Sequence, residues 1–235
     1  MRVLVVTAVP AERDAVTRAF GAVSEASVLC VPGAEIHRTG AFDVLAGGAG
    51  PGASAASAAF GLASDGGYGL VISAGIGGGF APVAPVGSLV VADRIGAADL
   101  GAETATGFVP VTELGFGRAW HLPPRSLVRE AAAATGALTG DILTVSTVTG
   151  SADRAAALLA AHPRAAAESM EGFGVAEAAE LVGLPVLEIR AVSNAVGPRD
   201  RDAWRIGDAL AALTGAFGKL VPVLEGWTHH DRHDS

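Results

Sequence analysis

RVLVVTAVPAERDAVTRAF, residues 2–20, decides the fold. Its first eight residues, 2–9, are rich in valine and apolar at successive positions, so both faces of an extended chain would be covered. Pro10 then stands where a helix would begin, at the first helical position, where a missing N–H costs nothing. The stretch therefore reads as a central strand running into a helix over 10–20. The same alternation continues along the chain. Short apolar runs fall at 26–31, 42–48, 69–75, 87–93, 141–150 and 185–194. Alanine-rich helical windows separate most of them, at 51–63, 123–135, 151–161 and 171–182, with a last one at 203–225. Strands alternating with helices predict an α/β fold, one sheet with helices on both faces. No internal repeat or linker divides the chain. One domain is expected over 1–227, followed by a polar tail at 228–235, THHDRHDS, read as a frayed terminus although it carries three of the six histidines. Pro222 puts the final turn of the last helix in doubt.

The 235 residues are half hydrophobic, enough to bury one substantial core. A net charge of −8 with no run of Lys or Arg argues against nucleic acid or an anionic membrane as partner. The lone cysteine, Cys30, excludes an intrachain disulfide, fits a reducing compartment and reads as a small buried hydrophobe. No unbroken apolar stretch reaches the ~18–20 residues of a membrane span, and the N-terminal run reads as a strand and not as a signal sequence. A cytoplasmic protein is expected. His37, His121 and His162 share no ligand spacing, so neither metal nor cofactor is implied.

Two glycine-rich stretches follow strands. GGAGPGASAA, 47–56, contains a G-x-G-x-x-A spacing at Gly48, Gly50 and Ala53, but the next strand, LVISAG, ends in no acid for a dinucleotide ribose. A tight strand-to-helix turn and contact with a ligand both remain open for it. SAGIGGGFAP, 73–82, reads as a loop with Gly75, Gly77, Gly78 and Gly79, more glycine than a turn requires. Close approach of a ligand is the expectation there. Residues 94–120 lack clean periodicity and hold five glycines, with Phe108 and Phe116 exposed-looking; a lid or partner-facing loop is expected.

Three polar positions stand out. Glu12 falls near the start of the first helix, where an acid complements the helix dipole. Glu171, in ESMEGFGVAEAAE, lies where a small-residue strand runs into a helix, and the same explanation serves. Asn194, in VLEIRAVSNAVGP, is a natural turn residue before Gly197-Pro198. Singly, each is ordinary.

Together they match a pattern. VLVVTAVPAERDAV, LVISAGIGGGFAPVAPVGSLVVAD, ESMEGFGVAEAA and VLEIRAVSNAV occur in the order found in the nucleoside phosphorylase and nucleosidase superfamily. The chain resembles it over residues 1 to about 225, in particular the methylthioadenosine/S-adenosylhomocysteine nucleosidases and the related futalosine hydrolases. The resemblance implies a mixed, twisted central sheet with helices on both faces. It implies that Glu12 is general base on a water and that Glu171 binds the ribose 2′- and 3′-hydroxyls and steadies an oxocarbenium ion. Met170 would pack against the sugar, Gly77 and Gly78 would lie beside the ribose and water, and Val148, Thr149 and Gly150 would give backbone contacts to the base. The strand end Ser193-Asn194 would complete the site. A purine nucleoside and water are the implied substrates, and a homo-oligomer, dimer or higher, the implied assembly.

One departure sharpens the expectation. Adenine-specific relatives carry Asp where this chain has Asn194. An amide cannot protonate N7, but its NH₂ can donate to a 6-oxopurine oxygen, where a carboxylate would repel. Asn194 thus points to hypoxanthine, and among hydrolytic relatives to futalosine as substrate and menaquinone biosynthesis as setting. The alternatives are another purine nucleosidase, a phosphate-dependent phosphorylase, and a nucleotide-binding module without catalysis. The second needs arginines near the early glycines, and GAGPG and AGIGGGF have none.

Overall fold

The computed structural model describes residues 1–22, 26–64 and 67–227. The tail at 228–235 lies outside them. The first strand and helix form as the opening stretch requires: β1 (Arg2–Thr7) leads to α1 (Pro10–Thr17). Next come β2 (Ser27–Val31), β3 (Ala34–Thr39), β4 (Phe42–Ala46), α2 (Pro51–Ser64), the long β5 (Tyr68–Gly79) and β6 (Leu89–Ala97). A hairpin β7 (Gly101–Thr104) and β8 (Gly107–Pro110), the short β9 (Trp120–His121), α3 (Arg125–Thr135) and β10 (Leu138–Thr144) follow. The chain then makes α4 (Ala152–Ala161), β11 (Ala165–Ser169), α5 (Gly172–Leu181), β12 (Val186–Ala195) and α6 (Ile206–Gly226).

Among the described residues ten strands form one mixed sheet, in the order β11-β10-β6-β12-β5-β1-β4-β3-β2, with β9 on β6. β1, β4, β5 and β12 pair in parallel, while β12 meets β6 antiparallel. β11 also returns to β5, pairing Ala167 with Gly79 and Glu168 with Gly78, so five strands close into a ring. The period-2 alternation of strands divides the core. Val3 and Val5 of β1, Leu70 and Ile72 of β5, and Leu187 and Ile189 of β12 pack with α1, α3 and α6. Leu4, Val6, Val71, Val186 and Val192 face the other way, onto α2 and α5. Glu188 and Arg190 alternate with Leu187 and Ile189 and so share the face of Val186 and Val192. A strand whose one face is aliphatic therefore puts two charges on its other face, toward α5.

Several expectations change. Residues 73–79 are not a loop: β5 runs through all four glycines to Gly79, and none of Gly75, Gly77, Gly78 or Gly79 has a positive φ. They are glycine because neighbouring protein atoms crowd the backbone, as the carbonyl of Ala84 crowds Gly79. Residues 94–120 hold the end of β6, the β7–β8 hairpin and part of β9, though Phe108 and Phe116 are exposed as expected. Strand β3 was not marked by the apolar pattern; its AEIHRT sequence mixes polar and apolar residues near the sheet edge. Cys30 is exposed, because β2 is the edge strand. Helix α6 continues past Pro222 to Gly226, with the Trp227 N–H bonded to the Val223 carbonyl. Among the described residues α6 alone is long and apolar enough to cross a membrane; here Leu213, Phe217, Leu220 and Leu224 bury a stripe of it in the core.

Candidate active site

Glu12 is in the first turn of α1, but it does more than complement the helix dipole. Its Oε2 accepts from the N–H groups of Ala8 (2.9 Å) and Val9 (3.2 Å), and its Oε1 from the N–H of Ile76 on β5 (2.9 Å). Val9, at the N-cap, has no polar side chain, so the helix start is organised by the carboxylate reaching back. The helix terminus thus fixes a buried carboxylate against β5. Burial pushes its carboxyl above the ordinary range; Arg190 and the Ile76 N–H oppose the rise without cancelling it, and Glu171 adds to it.

Glu171 precedes α5, yet it does not cap its own helix. Oε1 accepts from the Gly50 N–H (3.2 Å); Oε2 accepts from the Met170 N–H (3.3 Å) and from Arg190 Nη1 (3.2 Å). The first glycine stretch is thus a tight strand-to-helix turn, with Gly48 and Gly50 at positive φ, and it also delivers a backbone donor to the site.

Arg190 joins the two acids. It is fully buried; Nε donates to Glu188 Oε1 (2.9 Å), Nη2 to Ser73 Oγ (2.9 Å) and Nη1 to Glu171. Cross-strand register explains the arrangement: Arg190 lies opposite Gly75, and Glu188 opposite Ser73. A Cβ at Gly75 would come within 2.6 Å of Arg190 Nη1 and 2.7 Å of Glu12 Oε1, so the glycine leaves the space where guanidinium and general-base candidate meet. Burial works against the Arg190 charge, but Glu188, Glu171 and Glu12 outweigh it and hold the group protonated.

Asn194, farther along β12, lies opposite Gly78, which is three residues or about 10 Å beyond Gly75 at the usual rise of a strand. That spacing is comparable with the reach of a purine nucleoside from its ribose hydroxyls to the six-membered ring. Asn194 Nδ2 donates to the Ala195 carbonyl (3.0 Å) and Oδ1 accepts from Ser193 Oγ (2.8 Å). A carbonyl only accepts, so the amide orientation is set and one Nδ2 proton is left over. Ser193 Oγ also lies 3.3 Å from the Gly77 carbonyl.

The 148–150 loop is tied to the same place. Thr149 is buried, and Glu168, whose backbone pairs with Gly78, accepts from both its N–H (2.9 Å) and its hydroxyl. Burial raises the Glu168 carboxyl; the two Thr149 bonds work against that rise. Since the Thr149 N–H is engaged, Val148 and Gly150, both exposed, are the loop residues whose backbones remain for a base. Gly77 lies against the Glu168 carbonyl and Gly78 against Asn194 and Val196. Met170, half-buried, adjoins Glu171.

The structure ties Glu12 and Glu171 together through Arg190 and sets Asn194 farther along the same strand as Arg190; Arg190, Glu188, Ser73 and Glu168 are not among the residues the sequence singled out. A signal existed for two of them: Glu188 and Arg190 are charges two apart within an apolar strand, a pattern rare in a core unless the charges are paired. Among the described residues no cluster of His, Cys, Asp or Glu could hold a metal ion.

Residues 2–221 match the family model described as the phosphorylase superfamily. The chain is 65% identical to the futalosine hydrolase of Streptomyces coelicolor, over 99% of this chain and all of that one. It is 41% identical to the futalosine hydrolase of Acidothermus cellulolyticus, over 92% and 89% of the two. The fold superposes on the native structure of futalosine hydrolase from Helicobacter pylori with a TM-score of 0.82 at 17% identity, covering 95% of this chain and 98% of that one. It superposes on a Neisseria meningitidis methylthioadenosine/S-adenosylhomocysteine nucleosidase with a TM-score of 0.79 at 19% identity, covering 94% and 99%. The fold is thus shared at identities below 20%, and at 65% identity over 99% of its length the chain belongs to the phosphorylase superfamily and, within it, to the futalosine hydrolases.

Proposed function

We propose that this chain hydrolyses the N-glycosidic bond of futalosine, releasing hypoxanthine and dehypoxanthinylfutalosine, a step of menaquinone biosynthesis. The observation that carries the reading is the 65% identity, from end to end, to the Streptomyces coelicolor futalosine hydrolase. The site geometry supports a mechanism for it.

In that mechanism Glu12 takes a proton from the attacking water. The water oxygen bonds to C1′ of the ribose, the C1′–N9 bond breaks, and its electron pair leaves with the base. A carboxylate lifted by burial is a stronger base than an exposed one, which suits Glu12 to the task. Glu171 accepts from the ribose 2′- and 3′-hydroxyls, and its charge stabilises the sugar as it becomes cationic. Its three present donors, from Gly50, Met170 and Arg190, hold the carboxylate in place and leave one lone pair, on Oε1; the second hydroxyl takes the place of one of these donors. Met170 packs on the sugar, with Gly77 and Gly78 beside it.

Asn194 reads the base. Ser193 and the Ala195 carbonyl hold the amide so that Nδ2 faces outward with a proton to donate. A 6-oxopurine offers an acceptor at O6 or N7, and the donated bond steadies the departing anion. Adenine would set an amine against the same donor. The backbones of Val148 and Gly150 complete the base site, with Thr149 anchoring them through Glu168. The substrates are the nucleoside and water; no cofactor takes part. A cytoplasmic homo-oligomer is the assembly that goes with this reading.

Release of hypoxanthine from futalosine by purified protein, with and without inorganic phosphate, tests the proposal. Futalosine, aminofutalosine, inosine, methylthioinosine and methylthioadenosine form the panel. Futalosine is expected to be the best substrate, with a phosphate-independent rate. A rate that requires phosphate, or a preference for methylthioadenosine, would overturn it.

A further inference from the structure

Glu188 has no part in the mechanism above, yet it is fully buried in the strand that carries Arg190 and Asn194. Its Oε1 accepts two bonds, from Arg190 Nε (2.9 Å) and from Ser169 Oγ (3.0 Å). Its Oε2 has no hydrogen-bond donor among the described residues. The carboxylate presses instead against Gly172, where an added Cβ would collide with both of its oxygens. Gly172 follows Glu171 directly and opens α5. A carboxylate with one unpaired oxygen is costly to bury, and an aliphatic side chain here would match the rest of the strand. The arrangement has a purpose visible from the other side of Arg190: Nη1 reaches Glu171 and the space beside Glu12, while Nε is held from behind by Glu188.

We propose that Glu188 is the positioning residue of this site: it fixes the Arg190 guanidinium and takes up part of its charge, so setting how strongly Arg190 acts on Glu12 and Glu171. The proposal rests on the reading of Glu12 as general base. One cation serves three carboxylates. Were Arg190 free to give its full charge to Glu12, it would favour the ionised acid and make it a weaker base. Glu188 limits that. It also fixes the guanidinium plane, since Nε and Nη2 are both tethered, to Glu188 and Ser73, and only Nη1 faces the reacting groups. The groups facing Glu12 are Arg190 from β12, Glu171 before α5, and the N–H groups of Ala8, Val9 and Ile76. Those facing Glu188 are Arg190, Ser169, Glu171 and the backbone at Gly172. Burial raises the Glu188 carboxyl itself, with Arg190 opposing.

The test compares Glu188→Gln with the wild type on futalosine over a range of pH. The amide keeps the volume and can still accept from Nε, but the charge is gone. The expected result is a kcat lower by on the order of 10²-fold, as misplacement of a site group commonly gives, with little change in KM. The acid limb of kcat/KM should move to lower pH, because Arg190 then acts on two carboxylates and not three. Glu188→Asp, which keeps the charge, should bring the limb back toward the wild type. An acid limb that does not move in Glu188→Gln would overturn the proposal, even if the melting temperature falls, since a purely structural role predicts only that fall. If Glu188→Gln does not fold, Gly172→Ala takes its place: it pushes the carboxylate off Arg190 and should move the limb the same way, and an unmoved limb again overturns the idea. A ¹³C-carboxyl NMR titration of Glu12 in both proteins needs no substrate. If the wild type fails to hydrolyse futalosine, the proposed function falls, while the titration still decides whether Glu188 sets the ionisation of Glu12.

Discussion

The two ends of the site are built differently. At the proposed sugar end Glu12, Glu171 and Arg190 are buried, and each makes at least one bond to a residue distant in the chain: Glu12 to Ile76, Glu171 to Gly50 and Arg190 to Ser73. At the proposed base end Asn194 is only half-buried, near the end of β12, and its side-chain bonds go to the residues on either side of it. The contrast separates two jobs. Charges that must act on a transition state need low dielectric and fixed geometry, and only packing from many elements provides both. A choice between two bases needs only the direction of one hydrogen bond, which a strand end can hold locally. Substitutions at the sugar end should therefore lower the rate for every substrate; those at the base end should change which substrate is preferred.

The largest effect tests the first half. Glu12→Gln should reduce kcat/KM by about 10²–10⁴ on all purine nucleosides of the panel, the usual cost of losing a general base. A near wild-type rate would remove Glu12 from the mechanism. The pH profile of the unmutated enzyme belongs to the same test. Glu12 works only when ionised, and burial raises its pKa, so activity should fall with decreasing pH earlier than an ordinary carboxylate would dictate. Glu171→Gln comes next, at on the order of 10²–10³ in kcat, together with a higher KM. A change in KM alone would mean that Glu171 holds the diol without stabilising the cation.

The base end should respond by ratio. Asn194→Asp should shift the kcat/KM ratio of futalosine to aminofutalosine by about ten-fold or more, away from futalosine, since a mismatched group in a desolvated site costs about 1–3 kcal/mol. The smallest expected effect is at Ser193→Ala. Without the hydroxyl on Oδ1 the amide loses one of the two bonds that orient it, and the same ratio should decline a few-fold, in line with a bond worth about 0.5–1.5 kcal/mol. If Ser193→Ala instead lowered kcat equally on both substrates, the two ends would not be separable.

The sequence told more about the residues proposed to touch substrate than about those that hold them. Glu12, Glu171 and Asn194 each sit near the junction of a strand and a helix or turn; singly they are ordinary, and it is their order along the chain that marks them. Arg190 and Glu188 are inside a strand, and their meaning depends on register: only when Arg190 is placed opposite Gly75 does a guanidinium between two acids come into view. The glycines of 73–79 suggested a loop where a strand runs, for a related reason. Glycine marks close approach, but local sequence cannot say what approaches; here it is largely the protein itself, across strands distant in the chain. The strand β3 and the β7–β8 hairpin escaped because edge strands and exposed hairpins carry mixed polarity, and their pairing comes from partners and not from an apolar face.

The bond from the Gly50 N–H to Glu171 joins residues 121 positions apart, and that from Arg190 to Ser73 joins residues 117 apart. Loops of that length close late and slowly, because their entropy is lost before any contact repays it. The early strand–helix units can gain secondary structure while the acids are still strangers to one another. Catalytic competence is therefore a property of the completed ring and should return on refolding with the slowest phase, well after the far-ultraviolet dichroism has recovered. A ribosome that has released the first 150 residues has made Glu12, Gly50 and Ser73 but not the groups they meet, since Glu171, Glu188, Arg190 and Asn194 are all still to come.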